Sequence, residues 1–267
     1  MGKISKAQEA EQRRKYMQEL RRKEQQAEKR KSRLMWQIVI IAIVLVVAIS
    51  AVVIALTVTN KEKNDDGEPT SPPTMEDLDF SSIDASKYTT SPTETNYVKM
   101  NVNYVDKNGD RQSGDIIIRL YEEVAPITVK NFKSLVANKY YDNSTFHRVV
   151  ENFMIQGGIP ATGQVTASIK GEFSDNGVVN NLLHERGVVS MARTSEPDSA
   201  SGQFFIMHKK NTQLDGQYAA FGYVVSGMDV VDGIANTEVK INPSMQYEVS
   251  KPVNTVTITY MTFVTPK

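Results

Sequence analysis

The sequence predicts an all-β, closed antiparallel barrel capped by two helices and preceded by one transmembrane helix. Three observations predict it. Residues 38–58 run for 21 positions without a charge, proline or glycine. From Tyr97 onward the chain becomes a series of short β-like runs separated by turns, and only two stretches there carry a helical period. Between these regions the composition turns acidic and rich in Pro, Ser and Thr. Many strands with two helices in about 170 residues favour a sheet closed on itself over an open layered fold.

The formal net charge of zero conceals three zones. Residues 1–33 carry twelve Lys/Arg against five Asp/Glu, residues 59–96 three against nine, and residues 97–267 sixteen against seventeen. A uniformly basic nucleic-acid binder is excluded, and no nucleic-acid partner is expected. An apolar run of ~20 residues, rising ~1.5 Å each, crosses a hydrocarbon core of ~30 Å. Residues 34–59 are therefore assigned as a transmembrane anchor, with Trp36 at headgroup level. The positive-inside rule puts the basic tail, 1–33, in the cytoplasm and everything after Asn60 outside the cell membrane. Small residues around Ala48-Ile49-Ser50 leave signal-peptide cleavage open; the long basic region before the span and its length favour a retained anchor. The tail from Ala7 to Arg33 interleaves Glu with Lys/Arg among helix formers. It reads as a solvated helix that fixes topology, and Lys29, Arg30, Lys31 and Arg33 can also meet anionic membrane lipid at ~1 kcal/mol per charge.

Residues 60–96 read as a disordered acidic linker, with Pro69, Pro72 and Pro73 and one transient turn over Met75–Phe80. The folded domain is assigned to 97–267. Val98–Tyr104 and Gly114–Leu120 form a hairpin around Asp106-Lys-Asn-Gly-Asp110. That turn imitates a calcium loop, but Arg111 stands where the loop needs Gly and Ile117 where it needs Glu. Pro126 opens a helix that puts Val129, Phe132, Leu135 and Val136 on one face. Further strands are expected at 145–150, 153–156, 187–192, 203–208, 219–225 and 255–263, with a short helix over Gly227–Ala235.

Composition removes most site chemistries. There is no cysteine and there are three histidines, His147, His184 and His208, so thiolate nucleophiles and multi-histidine metal centres are not expected. No G-x-S-x-G elbow occurs, and Gly157–Gly163 lacks the lysine of a phosphate loop. Neither metal nor cofactor is predicted.

The dense signal is Phe146-His-Arg-Val-Val-Glu-Asn-Phe-Met-Ile-Gln-Gly-Gly158. It is followed in order by Gly187-Val-Val-Ser-Met-Ala-Arg193, Ser201-Gly-Gln-Phe-Phe-Ile206, Leu214-Asp-Gly216 and Phe221–Val231. Over 97–267 the chain resembles the cyclophilin family of peptidyl-prolyl cis–trans isomerases. The resemblance implies an eight-stranded barrel with two capping helices and an enzyme acting on X-Pro bonds. For this anchored chain, taken as bacterial, the expected partners are proline-containing exported polypeptides whose folding it assists. A rotation about an amide needs no nucleophile, metal or cofactor, only an apolar pocket and a directed donor.

By resemblance Arg148 contacts the substrate amide as the catalytic arginine, and Gln156 orients it. Phe153, Met154, Phe205 and Leu214 match the proline pocket, and Ala192 and Gln203 match its polar and backbone walls. Taken singly, Arg148 reads as a surface strand arginine and the apolar residues as barrel core; the ordered motifs decide otherwise. The histidines read as structural. Three positions depart from the family pattern. Arg193 and Thr194 replace the usual Asn-Ala, making the groove more basic. Tyr218 replaces the pocket His while keeping an aromatic wall. Gln213 replaces a Trp important for cyclosporin, so strong cyclosporin inhibition is not expected. Two other functions stay open at this point: a non-catalytic chaperone or scaffold gripping proline segments in the same groove, and a protein whose working part is the basic tail.

Overall fold

A computed structural model describes residues 73–81 and 84–267. The tail at 1–33, the anchor at 34–59 and the first part of the linker lie outside the described residues. Among the described residues no helix is long and apolar enough to cross a membrane.

Among the described residues eleven strands and two α-helices follow in order: β1 (Tyr88–Thr90), β2 (Tyr97–Val105), β3 (Arg111–Leu120), α1 (Pro126–Ala137), β4 (Ser144–Val150), β5 (Met154–Ile159), β6 (Val188–Met191), β7 (Phe204–Met207), β8 (Ala220–Ser226), α2 (Met228–Ala235), β9 (Val239–Asn242), β10 (Glu248–Pro252) and β11 (Val256–Pro266). Eight of them close a barrel in the order β11-β2-β3-β8-β6-β7-β5-β4, and β4 returns to β11 through Phe146 opposite Val256 and Ser144 opposite Ile258. Every pairing is antiparallel.

Alternation builds the inside. On β2, Val98, Met100 and Val102 are fully buried while their neighbours are not. On β11 the buried positions change from even, Val256 and Ile258, to odd, Met261 and Phe263. A register shift between Ile258 and Tyr260 inserts the extra residue that turns the face over. Within the barrel Phe132 of α1 meets the rings of Tyr141, Phe204 and Phe221 at centroid distances of 5.2, 5.7 and 5.1 Å. The first turn of α1 is capped from a distance. The buried Glu172 carboxylate accepts from the backbone N–H of Ile127 (3.0 Å) and of Thr128 (2.7 Å), which satisfies donors a helix cannot pair itself. Gly227, at φ +88° before α2, sits so close to β3 that a Cβ would lie 2.2 Å from the Asp115 carbonyl oxygen.

The outside of the barrel is also apolar in places, and there the structure moves a boundary. Residues 73–81 and 84–96, expected as linker, pack on the barrel. Thr74 and Asp77 form a capping box around the 3-10 turn Met75–Asp77, so the turn expected near Met75 is a fixed one. Leu78 is buried, and Phe80 stands edge-on to Tyr121 and Tyr223 at 5.8 and 4.9 Å. The Tyr121 hydroxyl donates to the Asp79 carbonyl (2.8 Å) and Arg119 pairs with the Asp79 carboxylate (2.9 Å). β1 then pairs with the end of β11 and lays Tyr88 over Ile117, Val225 and Val264. The acidic composition misleads here because a few apolar side chains, spaced along a polar segment, are enough to cover a patch the barrel cannot bury itself. The β9–β10 hairpin, also unexpected, docks beside β4.

Phe80→Ala is expected to destabilise the domain by about 2 kcal/mol, less than a fully buried Phe would cost because the ring is partly exposed; an unchanged urea midpoint would mean that the segment does not hold the fold. The buried His184 and the half-buried His147 predict a pH signature. Desolvation lowers both His147 and His184 from their ordinary 6.5, partly offset at His184 by its hydrogen bond to Asp215. Below that value the unfolded chain takes up protons that the folded chain refuses, so stability is full above about pH 6.5 and declines as the pH falls. Carboxylates such as Glu248, held below its ordinary 4.5 by Arg148, enter only at lower pH. Urea midpoints should therefore be level above about pH 6.5 and drop towards about pH 5.5; a level midpoint throughout would contradict the lowering of these rings by desolvation.

Candidate functional site

Arg148 reaches its place through a defect in the ladder. Across β4 and β5, Phe146 lies opposite Gly157 but Arg148 lies opposite Gln156, so β4 carries one extra residue at His147. Phe146 and Val149 both face the core. Strict alternation from Phe146 would drive Arg148 inward as well. The bulge turns it to the outer face, where Gln156 and then Phe205 follow on successive strands as direct cross-strand partners.

All the site residues expected from the sequence except Gln203 line one cleft of about 190 Å³: Arg148, Phe153, Met154, Gln156, Ala192, Arg193, Phe205, Leu214 and Tyr218. Gln203 stands behind, accepting from the Gln156 Nε2 at 3.2 Å. This leaves the Gln156 Oε1 to face the Arg148 Nη1 at 3.4 Å. Met154 Sδ is 4.0 Å from the same nitrogen, and the Phe153 ring lies 5.8 Å from the guanidinium. A cation thus borders an apolar pocket with one end turned inward.

The histidines hold walls rather than ligands. His184 is buried with Nδ1 3.0 Å from Asp215 Oδ1 and Nε2 3.1 Å from Ser190 Oγ. Ser, His and Asp are in line here, but Ser190 is fully buried and offers no nucleophile to a substrate. Instead the ring stacks on Phe205 at 5.9 Å, and Tyr218 meets Phe205 edge-on at 5.7 Å. The His208 Nδ1 accepts from the Asn152 N–H (2.9 Å), fixing the turn that presents Phe153. His147 supplies the bulge, and its carbonyl accepts from Asn242 Nδ2 at 3.5 Å. Among the described residues no group of three or more His, Asp or Glu is arranged to hold a metal ion.

Arg193 is the departure whose role the structure redefines. Its guanidinium lies over the Tyr218 and Phe173 rings at 4.7 and 5.0 Å, and its Nε and Nη1 donate to the carbonyls of Gln217 (2.9 Å) and Thr194 (2.8 Å). Arg193 clamps two loops that form the cleft wall as well as adding charge to it. Gln213 is exposed and lies outside the residues lining the cleft.

Two neighbours of the site have no signal in the motif blocks. Met245 lines the cleft from the turn between β9 and β10. Glu248, the first residue of β10, pairs with Arg148 through Nε (2.7 Å) and Nη2 (2.8 Å). A separation of 100 residues hides the pair; only the short alternation of 239–241 and 248–250 hints at a hairpin, and nothing in it points to β4.

Comparison with known proteins agrees with this geometry. The family model described as cyclophilin type peptidyl-prolyl cis-trans isomerase/CLD matches residues 102–262. A peptidyl-prolyl cis-trans isomerase of Acinetobacter baylyi is 45% identical over 154 residues, covering 54% of this chain and 79% of that protein. Peptidyl-prolyl cis-trans isomerase A of Dickeya dadantii is 41% identical over 150 residues, covering 53% and 76%. Peptidyl-prolyl cis-trans isomerase ppi1 of Schizosaccharomyces pombe is 40% identical over 144 residues, covering 52% and 92%. The matched stretch contains most of the barrel and every residue of the cleft, and by it the chain belongs to the cyclophilin family of peptidyl-prolyl cis–trans isomerases, enzymes that need no cofactor.

Proposed function

We propose that this isomerase is held on the outer side of a bacterial cell membrane by residues 34–59, that it acts there on X-Pro bonds of exported polypeptides, and that Arg148 is the group that contacts the prolyl amide. The observation that carries the mechanism is the Arg148 Nη1, turned into an apolar cleft beside the Gln156 Oε1.

Rotation about an X-Pro bond is slow because amide resonance imposes a barrier of ~18–20 kcal/mol. As the bond twists, the nitrogen pyramidalises and recovers its lone pair. A fixed N–H donor aimed at that nitrogen gains strength in the twisted state and little in the planar one, which is the condition for raising turnover rather than affinity. Phe153, Met154, Phe205 and Leu214 hold the ring so that rotation occurs on the far side of the amide bond. A proline ring seated against the same side chains would displace water from the donor, so that the hydrogen bond acts in a medium of lower dielectric. The membrane assignment rests on the uninterrupted apolar run and the charge asymmetry around it. Uncatalysed isomerisation takes tens to hundreds of seconds, long enough to leave an exported chain exposed before it finishes folding.

Arg148→Ala is expected to leave the barrel folded and to lower kcat/KM for a proline tetrapeptide ten- to hundredfold in a protease-coupled assay. A charged hydrogen bond is worth ~1.5–3 kcal/mol, at ~1.4 kcal/mol per tenfold. Peptide affinity should fall less, and Arg148→Lys should restore only part of the rate because an ammonium lacks the planar fork. Equal losses in affinity and turnover would make Arg148 a binding group and favour a proline-segment chaperone. For the topology, protease added to intact protoplasts should remove the barrel and spare the basic tail; protection of the barrel in sealed cells would overturn the outward assignment and imply cytosolic substrates.

A further inference from the structure

Glu248 is not called for by proline-ring binding, yet it makes the tightest contact that Arg148 has. A guanidinium offers its donors along distinct edges. Glu248 occupies the Nε–Nη2 edge with both carboxylate oxygens, at 2.7 and 2.8 Å, while Nη1 at the other end faces Gln156 and Met154 in the cleft. The carboxylate therefore grips the edge turned away from the substrate pocket.

Three features of the hairpin aim it there. Asn242 and Ser250 are buried between β9 and β10 and bonded to each other at 3.3 Å, and Asn242 also reaches the carbonyl of the bulge residue His147. The hairpin is thus tied to the backbone one residue before Arg148. Immediately ahead of Glu248, Gln246 and Tyr247 both take left-handed backbone angles, φ 50° and 64°, without being glycine. Two such residues in succession are conformationally costly, and they set Glu248 opposite Asn242 at the start of β10. The same turn brings Met245 into the cleft wall.

We propose that Glu248 is a positioning residue for the isomerase reaction: its side-on, bidentate pair with Arg148 immobilises the guanidinium before substrate arrives and directs Nη1 at the prolyl amide. An arginine left to itself samples many rotamers, and holding it in one productive arrangement removes that entropy loss from the path to the twisted state. This inference rests on the reading of Arg148 as the amide-contacting group.

The test uses the full-length chain with Glu248→Ala, Glu248→Gln, Arg148→Ala and the double variant Arg148→Ala/Glu248→Ala. Glu248→Ala should lower kcat/KM roughly three- to tenfold, chiefly in kcat, and Glu248→Gln should retain part of the rate because its amide oxygen still accepts from one guanidinium nitrogen. In the Arg148→Ala background Glu248→Ala should cost nothing more, since its effect passes through Arg148. In a nitrogen-15-labelled sample the Arg148 Nε–H signal should be protected from exchange in the parent and lost in Glu248→Ala. A Glu248→Ala chain as active as the parent, or more active, would overturn the proposal, the second result by showing that the carboxylate competes with substrate. Additive losses in the double variant would also overturn it, by showing that Glu248 acts through the hairpin's folding. Turnover that survives Arg148→Ala removes the underlying reading; turnover lost in Arg148→Ala but kept in Glu248→Ala removes Glu248 alone.

Discussion

One extra residue on one strand decides which way the cleft arginine points. In a closed antiparallel barrel a side chain has two choices, the core or the outer face, and alternation normally fixes them. Phe146 must face inward, because it packs on Phe204 and fills the barrel where Gly157 leaves room; a Cβ on Gly157 would come within 2.9 Å of the Phe146 ring. Val149 must face inward too. Both cannot hold in a regular strand, and the bulge at His147 resolves the conflict by sending Arg148 outward to Gln156. The cost of a bulge is an unpaired backbone group, and here the carbonyl released at His147 is met by Asn242 of the β9–β10 hairpin. The defect that exposes Arg148 also creates the docking point for the element that carries Glu248.

The barrel is apolar on more than one face. In β3, Ile116, Ile117 and Ile118 are all fully buried. Ile116 and Ile118 belong to the interior, whereas Ile117 lies under Tyr88 with Val225 and Val264. A run of consecutive isoleucines is the mark of a strand covered on both sides. Leu78 and Phe80 act in the same way over Tyr121 and Tyr223, continuous with the cluster that contains Met207 and the cleft residues Met154 and Phe205. The segment before the first barrel strand is therefore part of the support of the site, and its acidic residues serve as caps and partners: Asp77 closes the Thr74 box and Asp79 pairs with Arg119.

The sequence was most informative where structure is local or where function constrains several neighbouring residues together. Pro126 with its 3.6-residue apolar spacing yields α1, and the alternation of Val98, Met100 and Val102 yields β2. The Phe146–Gly158 block could be read because Arg148, Phe153, Met154 and Gln156 share one β-hairpin. The rest was hidden for specific reasons. Residues 84–96 look like linker because their structure comes from contacts with a distant strand, Thr95 donating to the Val264 carbonyl across 169 positions. The bulge leaves no residue signature, since His147 would suit either a regular or an irregular strand. Glu248 is one acidic residue among many until the fold closes; only then does the distance to Arg148 give it meaning.

Charge around the cleft follows from these placements. Of the two cleft arginines, Arg193 is spread over aromatic faces and backbone carbonyls, and Arg148 is held by a carboxylate on one edge with Nη1 turned to the pocket. Each guanidinium is fixed by partners that do not include the substrate. Under the proposed mechanism a fixed donor next to an apolar wall need not reorganise as the amide twists, which is the preorganisation a catalytic cation requires. The buried His184 contributes to the same end without touching the peptide. Desolvation keeps its ring neutral, and as a neutral ring it can accept from one neighbour, donate to another and lie flat against Phe205. An imidazolium there would add a third cation to the two cleft arginines and oppose the apolar character of the cleft wall.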